Sequence, residues 1–211
     1  MNKIKSLLEK DNERYNYMVG CQEILSGKDY RDFIELCAQL RFQGRWSYLH
    51  IVPRTSVLGH SMFVAVTSYL FSIQTSARDE DKVNNFFNGL FHDLEETQTR
   101  DVRGPLKRDL PELRDVLREV SEDMMERNVL PLLPKEWQSE FRQYSMGELK
   151  MGSLVKAADD LSAVVEAYRA KENGCENPAL LAVKGEILKR YKKFHKIQIG
   201  PMKLTDIYNQ F

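Results

Sequence analysis

The chain has 211 residues, its 31 Lys and Arg balance 31 Asp and Glu, and hydrophobic and charged residues make up 42% and 29%. That length suits one well-buried domain and is short for two. The balanced charge argues against a nucleic-acid polymer as main ligand, because polyphosphate binding normally leaves a basic excess, and Pro at 7 with Gly at 11 excludes collagen-like and broadly disordered chains.

Spacings of three and four dominate from the start, so helices are expected over about 3–18 and 28–42. The opening Met1-Asn2-Lys3-Ile4-Lys5 turns charged before a signal-peptide core can form. The next helix, about 57–75, contains the most apolar stretch, Met62 to Ser72, about half of the roughly 20 residues a membrane span requires. A further helix over 80–97 precedes a turn at Gly104-Pro105. Asp109 and Pro111 then open 111–128, and Pro134 opens 134–145. Gly174 closes a long helix over 148–172, Asn177-Pro178 cap and begin 177–194, and a last helix covers 202–210. No four-to-eight-residue run alternates β-branched or aromatic with polar residues, and no repeat or low-complexity linker interrupts the chain. The expectation is one all-α domain over 1–211, a bundle of about eight to nine helices with a core over about 41–172 and appended helices at 1–40 and 173–211. Cys21, Cys37 and Cys175 are odd in number and lack a CxxC pair, which suits reduced, packed thiols in a cytoplasmic protein.

Chemistry concentrates on few residues. His92-Asp93 ends the apolar run Phe86-Phe87-Asn88-Gly89-Leu90-Phe91, and His60 lies in the preceding helix, so an antiparallel pairing would bring the two rings together. Asp159 and Asp160 sit inside an otherwise apolar helix, where a carboxylate wants a partner. Two imidazoles with two carboxylates suit a divalent transition metal rather than calcium. At about 100° per residue, Leu154, Ala158, Leu161 and Val165 form one stripe; Asp159 lies at its edge and Asp160 faces away. Glu96 stands four residues after His92, on the same helix face. Arg45 offers a planar donor fork for phosphate oxygens, Lys107 a second charge and Trp46 an aromatic wall. Trp137, Phe141 and Tyr144, at helical spacing, read as core or dimer interface, and His50 and His195 as structural or exposed.

In order and separation, His60, His92-Asp93 and Asp159 resemble the H…HD…D signature of the HD-domain phosphohydrolases. The fit extends to the small bacterial HD-domain 5′-deoxynucleotidases. Arg45-Trp46 followed by His60-Ser61 is similar to their Arg-Trp…His-Ser pattern. His92-Asp93-Leu94-Glu95-Glu96, Thr99-Arg100-Asp101, Pro105-Leu106-Lys107 and Val155 through Leu161 match further motifs. The family's usual Glu before the first ligand histidine is Gly59 here, which bears on hydrogen bonding behind the ligands and on metal preference.

The resemblance implies a single HD-domain bundle holding one divalent ion (manganese, cobalt, iron, zinc or magnesium) on His60, His92, Asp93 and Asp159. It makes Glu96 and Asp101 the acid/base candidates without dividing the roles, and Arg45, Trp46 and Lys107 the substrate contacts, with Trp46 disfavouring a 2′-hydroxyl. The expected activity is removal of the 5′-phosphate from deoxyribonucleoside monophosphates by a cytoplasmic homodimer with a small-molecule nucleotide substrate and no membrane partner. Hydrolysis of a triphosphate or another phosphodiester, and a non-catalytic HD-fold binding module, are the alternatives.

Overall fold

The computed structural model describes residues 31–99, 111–145, 152–191 and 197–211. These form α1 (Arg31–Gln39), α2 (Val57–Gln74), α3 (Asp79–Phe91), α4 (Glu96–Thr99), α5 (Pro111–Met124), α6 (Lys135–Ser145), α7 (Ser153–Glu172), α8 (Pro178–Tyr191) and α9 (Leu204–Tyr208). A π turn over Met125–Val129 and a 3-10 turn over Leu130–Leu132 extend α5. A two-stranded antiparallel hairpin, β1 (Gln198–Ile199) with β2 (Met202–Lys203), turns at Gly200 (φ 57) and precedes α9. The all-α expectation holds. The expected helix over 3–18, the Gly104-Pro105 turn, Cys21 and His195 lie outside the described residues.

Local punctuation sets three of the boundaries. Ser56 caps α2 by accepting from the Gly59 N–H at 3.1 Å, and Asn177 accepts from the Ala179 N–H at 2.9 Å where Pro178 begins α8. Gly174, at φ 80, supplies the left-handed residue beyond α7. The helix expected over 80–97 is a different matter: it stops at Phe91. Leu94 and Glu96 N–H groups bond Phe91 and Asp93 carbonyls three residues back, at 3.0 Å each, and this tighter winding separates α3 from α4. Leu94, 1% exposed, is thereby driven into the core.

Helices α2 and α3 run antiparallel with α7 packed across both. Their close approach centres on Gly89, where a Cβ would stand 2.8 Å from the Ala65 Cα. Ser68 Oγ donates to the Ala65 and Asn85 carbonyls, and Asn85 donates to Ser72 Oγ, so polar contacts tie the same seam. One core cluster gathers Val64, Phe71, Val155, Ala158, Leu161 and Ile187 with the C-terminal Leu204, Ile207 and Tyr208. A second joins Leu36, Leu40, Val57, Leu94, Met125 and Val129, and a third packs Ile51, Ala167, Ala170, Cys175 and Leu180 with Trp46 at its edge. Phe141 packs on Phe33 and Phe91, and Tyr144 on Phe87, while Trp137 is half exposed.

Among the described residues α2 is long and apolar enough to cross a membrane, with a mean hydropathy of 1.2 over 18 residues. Its inner face is in the bundle core, with His60, Val64 and Ala65 fully buried. Its outer face carries Met62, Val66, Tyr69, Leu70 and Ile73, all exposed.

Candidate metal centre

Three segments deliver donor atoms to one point. From α2, His60 Nε2 lies 3.2 Å from His92 Nε2, 3.3 Å from Asp93 Oδ2 and 3.3 Å from Asp159 Oδ1. His92 Nε2 is 3.2 Å from Asp93 Oδ2. The donors thus come from the start of α2, the tight turn after α3 and the outer edge of α7's buried stripe. The antiparallel α2–α3 pairing expected from the sequence is what brings the rings together, their centroids 5.1 Å apart.

The far side of each ring is also committed. His60 Nδ1 is 2.9 Å from Ser162 Oγ, and His92 Nδ1 donates to the Gly89 carbonyl at 2.8 Å. His92 Nδ1, donating to a carbonyl, leaves Nε2 as the atom that would face a cation once its proton is displaced, and Ser162 can hold an Nδ1 proton of His60 in the same way, the tautomer a metal-bound imidazole needs. Two nitrogens and two carboxylate oxygens suit a divalent ion of the zinc, manganese or cobalt type, so the residues fit the cation that the resemblance implies. His60, His92 and Asp93 alone already form a group of donors able to share one ion.

Electrostatics favour positive charge at this point. Burial opposes the imidazolium form of His92, yet Asp93, Asp159 and the Gly89 carbonyl raise its pKa from 6.5 to about 9. Burial likewise opposes ionisation of Asp93, but His92 and His60 hold its carboxyl well below the ordinary value. Asp159 is also held low: burial is outweighed by Lys156, whose Nζ lies 2.7 Å from Oδ2, and by both histidines. Asp160 departs from its expected solvated position. It is 7% exposed and accepts from Lys156 Nζ at 3.2 Å, because the long Lys156 side chain arches over both acids.

Arg45 and Trp46 reach the centre on the segment before α2. The Arg45 N–H bonds the Thr55 carbonyl at 2.9 Å, and Gly44 bridges Ser56, which folds this segment back on itself. Arg45 Nη1 lies 3.7 Å from Asp93 Oδ2, and burial of the guanidinium is outweighed by Glu166, Asp93, Asp159 and Glu96, which keep it charged. Trp46 has φ 55, a left-handed conformation costing a residue with a Cβ roughly 1–2 kcal/mol. Its indole Nε1 donates to Glu166 Oε2 at 2.7 Å.

Glu96 is 5% exposed and heads α4. It does not share a continuous helix face with His92, because the chain tightens between them. Asp101 and Lys107 lie outside the described residues. Two residues that the sequence reading passed over, Ser162 and Glu166, stand directly behind His60, Arg45 and Trp46. Their signal was present as Asp159-x-x-Ser162-x-x-x-Glu166, a spacing that puts three polar groups on one face of an apolar helix. Gly59 lies beside them, lining with Thr55, Phe63, Ser162, Glu166 and Arg169 a cavity of about 200 Å³ next to His60.

A family model described as 5′-deoxynucleotidase YfbR-like matches residues 32–202. A 5′-deoxynucleotidase of Pasteurella multocida is 27% identical over 177 residues, covering 77% of this chain and 85% of its own. One from Vibrio atlanticus is 24% identical over 148 residues, covering 67% and 76%. Among solved structures, an HD-domain phosphohydrolase of Listeria innocua superposes with a TM-score of 0.67 at 19% identity, covering 79% of this chain and 82% of its own. The HD phosphohydrolase of cyanophage S-2L, bound to dA and one catalytic Zn²⁺ ion, gives 0.59 at 16% identity, covering 83% and 91%.

Proposed function

The chain belongs to the YfbR-like 5′-deoxynucleotidase family, and from that premise we propose how its own residues remove the 5′-phosphate from deoxyribonucleoside monophosphates. His60, His92, Asp93 and Asp159 hold one divalent cation. When bound, the cation supplies Lewis acidity and a water activated near neutral pH. What carries this reading is the convergence of four donor atoms at 3.2–3.3 Å from their neighbours, with both Nδ1 atoms already engaged on the far side.

Arg45 neutralises phosphoryl oxygens. Its Nε is engaged by Glu166, and its Nη edge is turned toward Asp93, the side from which a phosphate on the metal centre would be reached. Trp46 walls the sugar and disfavours a 2′-hydroxyl. Glu96 and Asp101 are the groups that orient the attacking water and protonate the leaving O5′, and Lys107 adds charge to the phosphate site. The protein is cytoplasmic and works as a homodimer, for which the exposed apolar stripe on α2 offers a surface a second copy would cover.

Phosphate release from a panel of deoxy- and ribonucleotides tests this, with Mn²⁺, Co²⁺ or Zn²⁺ supplied after chelation. Release from deoxynucleoside monophosphates in preference to ribonucleotides is expected. Triphosphate release from a nucleoside triphosphate would move the substrate to the larger class. No phosphate from any monophosphate, with cation confirmed bound, would overturn the proposal.

A further inference from the structure

Glu166 is 8% exposed on α7, two turns beyond Asp159, yet its contacts reach a segment 120 residues away. Its carboxylate accepts from Trp46 Nε1 at 2.7 Å and from Arg45 Nε at 3.2 Å. On its other side Ser162 Oγ lies 3.5 Å from Oε1 and 2.9 Å from His60 Nδ1. A chain of polar contacts therefore runs from the Nδ1 of a candidate metal ligand, through Ser162, to a carboxylate that also grips both side chains assigned to the substrate. Among the described residues lining the cavity behind His60, Glu166 is the one acid: Gly59 lines the same space and brings no side chain.

We infer that Glu166 is a positioning residue that locks the Trp46 indole and the Arg45 guanidinium against the metal centre, thereby setting deoxyribose discrimination, and orients His60 through Ser162. The physical logic is economical. Trp46 sits in a left-handed backbone conformation, and the hydrogen bond its indole N–H donates to a buried carboxylate helps hold it there. Arg45 would otherwise be free to collapse onto Asp93 and Asp159, the carboxylates the cation needs. By taking Nε, Glu166 keeps the guanidinium at the rim, with Nη1 at 3.7 Å from Asp93 rather than in a tight pair. Ser162, accepting from His60 Nδ1–H and donating toward Glu166, fixes the tautomer of the ring.

This role rests on the nucleotidase reading above, so its test includes a readout independent of turnover. In a Trp137→Phe background, emission reports Trp46 alone. Glu166→Ala is expected to shift that emission and to increase its quenching by acrylamide. It is also expected to raise KM for a deoxynucleoside monophosphate and to lower the deoxy-over-ribo preference, each by about tenfold, with a smaller fall in kcat. Glu166→Gln keeps an acceptor for the indole N–H and should restore the emission and most of the sugar preference. Should Glu166→Ala fail to fold, Trp46→Phe, the volume-conserving Glu166→Leu, which removes the acceptor, and the double variant form a cycle, and sub-additive losses in sugar preference are expected. Additive losses in that cycle would overturn the inference. So would a folded Glu166→Ala whose melting temperature falls while Trp46 emission, KM and sugar preference stay unchanged. If the unmutated protein releases no phosphate from any monophosphate, the nucleotidase reading falls while the emission experiment still decides the positioning role.

Discussion

Removing the cation and varying pH probes the centre most directly. Without metal, His92 is held at about 9 by Asp93 and Asp159 against the cost of burial, so at pH 7.5 roughly 97% of it carries a proton that a cation must displace. Binding at that pH should release about one proton per chain, and affinity should rise about tenfold per pH unit from 7 to 8.5 before levelling above 9. An ordinary histidine at 6.5 would release only about a tenth of a proton and give a nearly flat profile. Titration calorimetry of chelated protein with Mn²⁺, in two buffers of different ionisation enthalpy, separates the cases. The same shift makes a stability statement whose sign is fixed. A raised folded-state pKa contributes stability that is complete below 6.5 and is lost as pH rises through about 9. At about 1.4 kcal/mol per tenfold change, the chelated protein should lose roughly 3 kcal/mol across that window. Asp93 and Asp159, held low, contribute in the opposite sense: their share is present above the ordinary carboxylate value of 3.8 and is lost as pH falls through their depressed folded-state values. The metal-loaded protein should show no such alkaline loss. Proton release below about 0.2 at pH 7.5 would refute the geometry that puts Asp93 against His92 with the charge of Asp159 nearby.

Asp159→Asn should abolish tight Mn²⁺ binding and cost at least about a hundredfold in phosphate release, whereas Asp160→Asn should leave metal affinity within about threefold, as calorimetry and a phosphate assay would show. Gly89→Ala puts a methyl 2.8 Å from the Ala65 backbone and should cost about 1–3 kcal/mol in a denaturant titration, with weakened metal binding because the Gly89 carbonyl orients His92. Leu70→Glu, at a half-exposed position on the apolar face of α2, should convert the proposed homodimer to monomers in sedimentation while leaving the melting temperature of the monomer nearly unchanged.

How the fold could be read from the sequence follows from where its information is local. Pro134, Gly174 and Asn177-Pro178 punctuate helices by properties of single residues, and α6, α7 and α8 end or begin there as expected. The break at Phe91 could not be read this way. His92, Asp93, Leu94 and Glu95 are all compatible with a helix, and what stops it is tertiary: Leu94 must enter the cluster with Leu36, Val57 and Met125. The same holds for the hairpin before α9, whose two-residue strands are too short to show alternation.

The centre was legible for a related reason. His60, His92-Asp93 and Asp159 form a sparse pattern of unlike residues, and the tight α2–α3 seam at Gly89 converts that pattern into a cluster. Asp160 was misplaced because helical angle alone treats the side opposite the stripe as solvent. Here α7 packs against α2, α3 and α8, and Lys156 covers the remaining edge. Glu166 illustrates the limit of the same method. An acid between Val165 and Ala167 announces that it needs a partner, by the argument applied to Asp159, but nothing local says that the partners are Arg45 and Trp46. That pairing depends on the Gly44–Ser56 bridge folding the 43–57 segment back over α7. The candidate ligands, on helices or directly at the end of one, are therefore the readable part of this centre. The residues that aim them depend on a loop, and a loop's path is decided only once the bundle beneath it has formed.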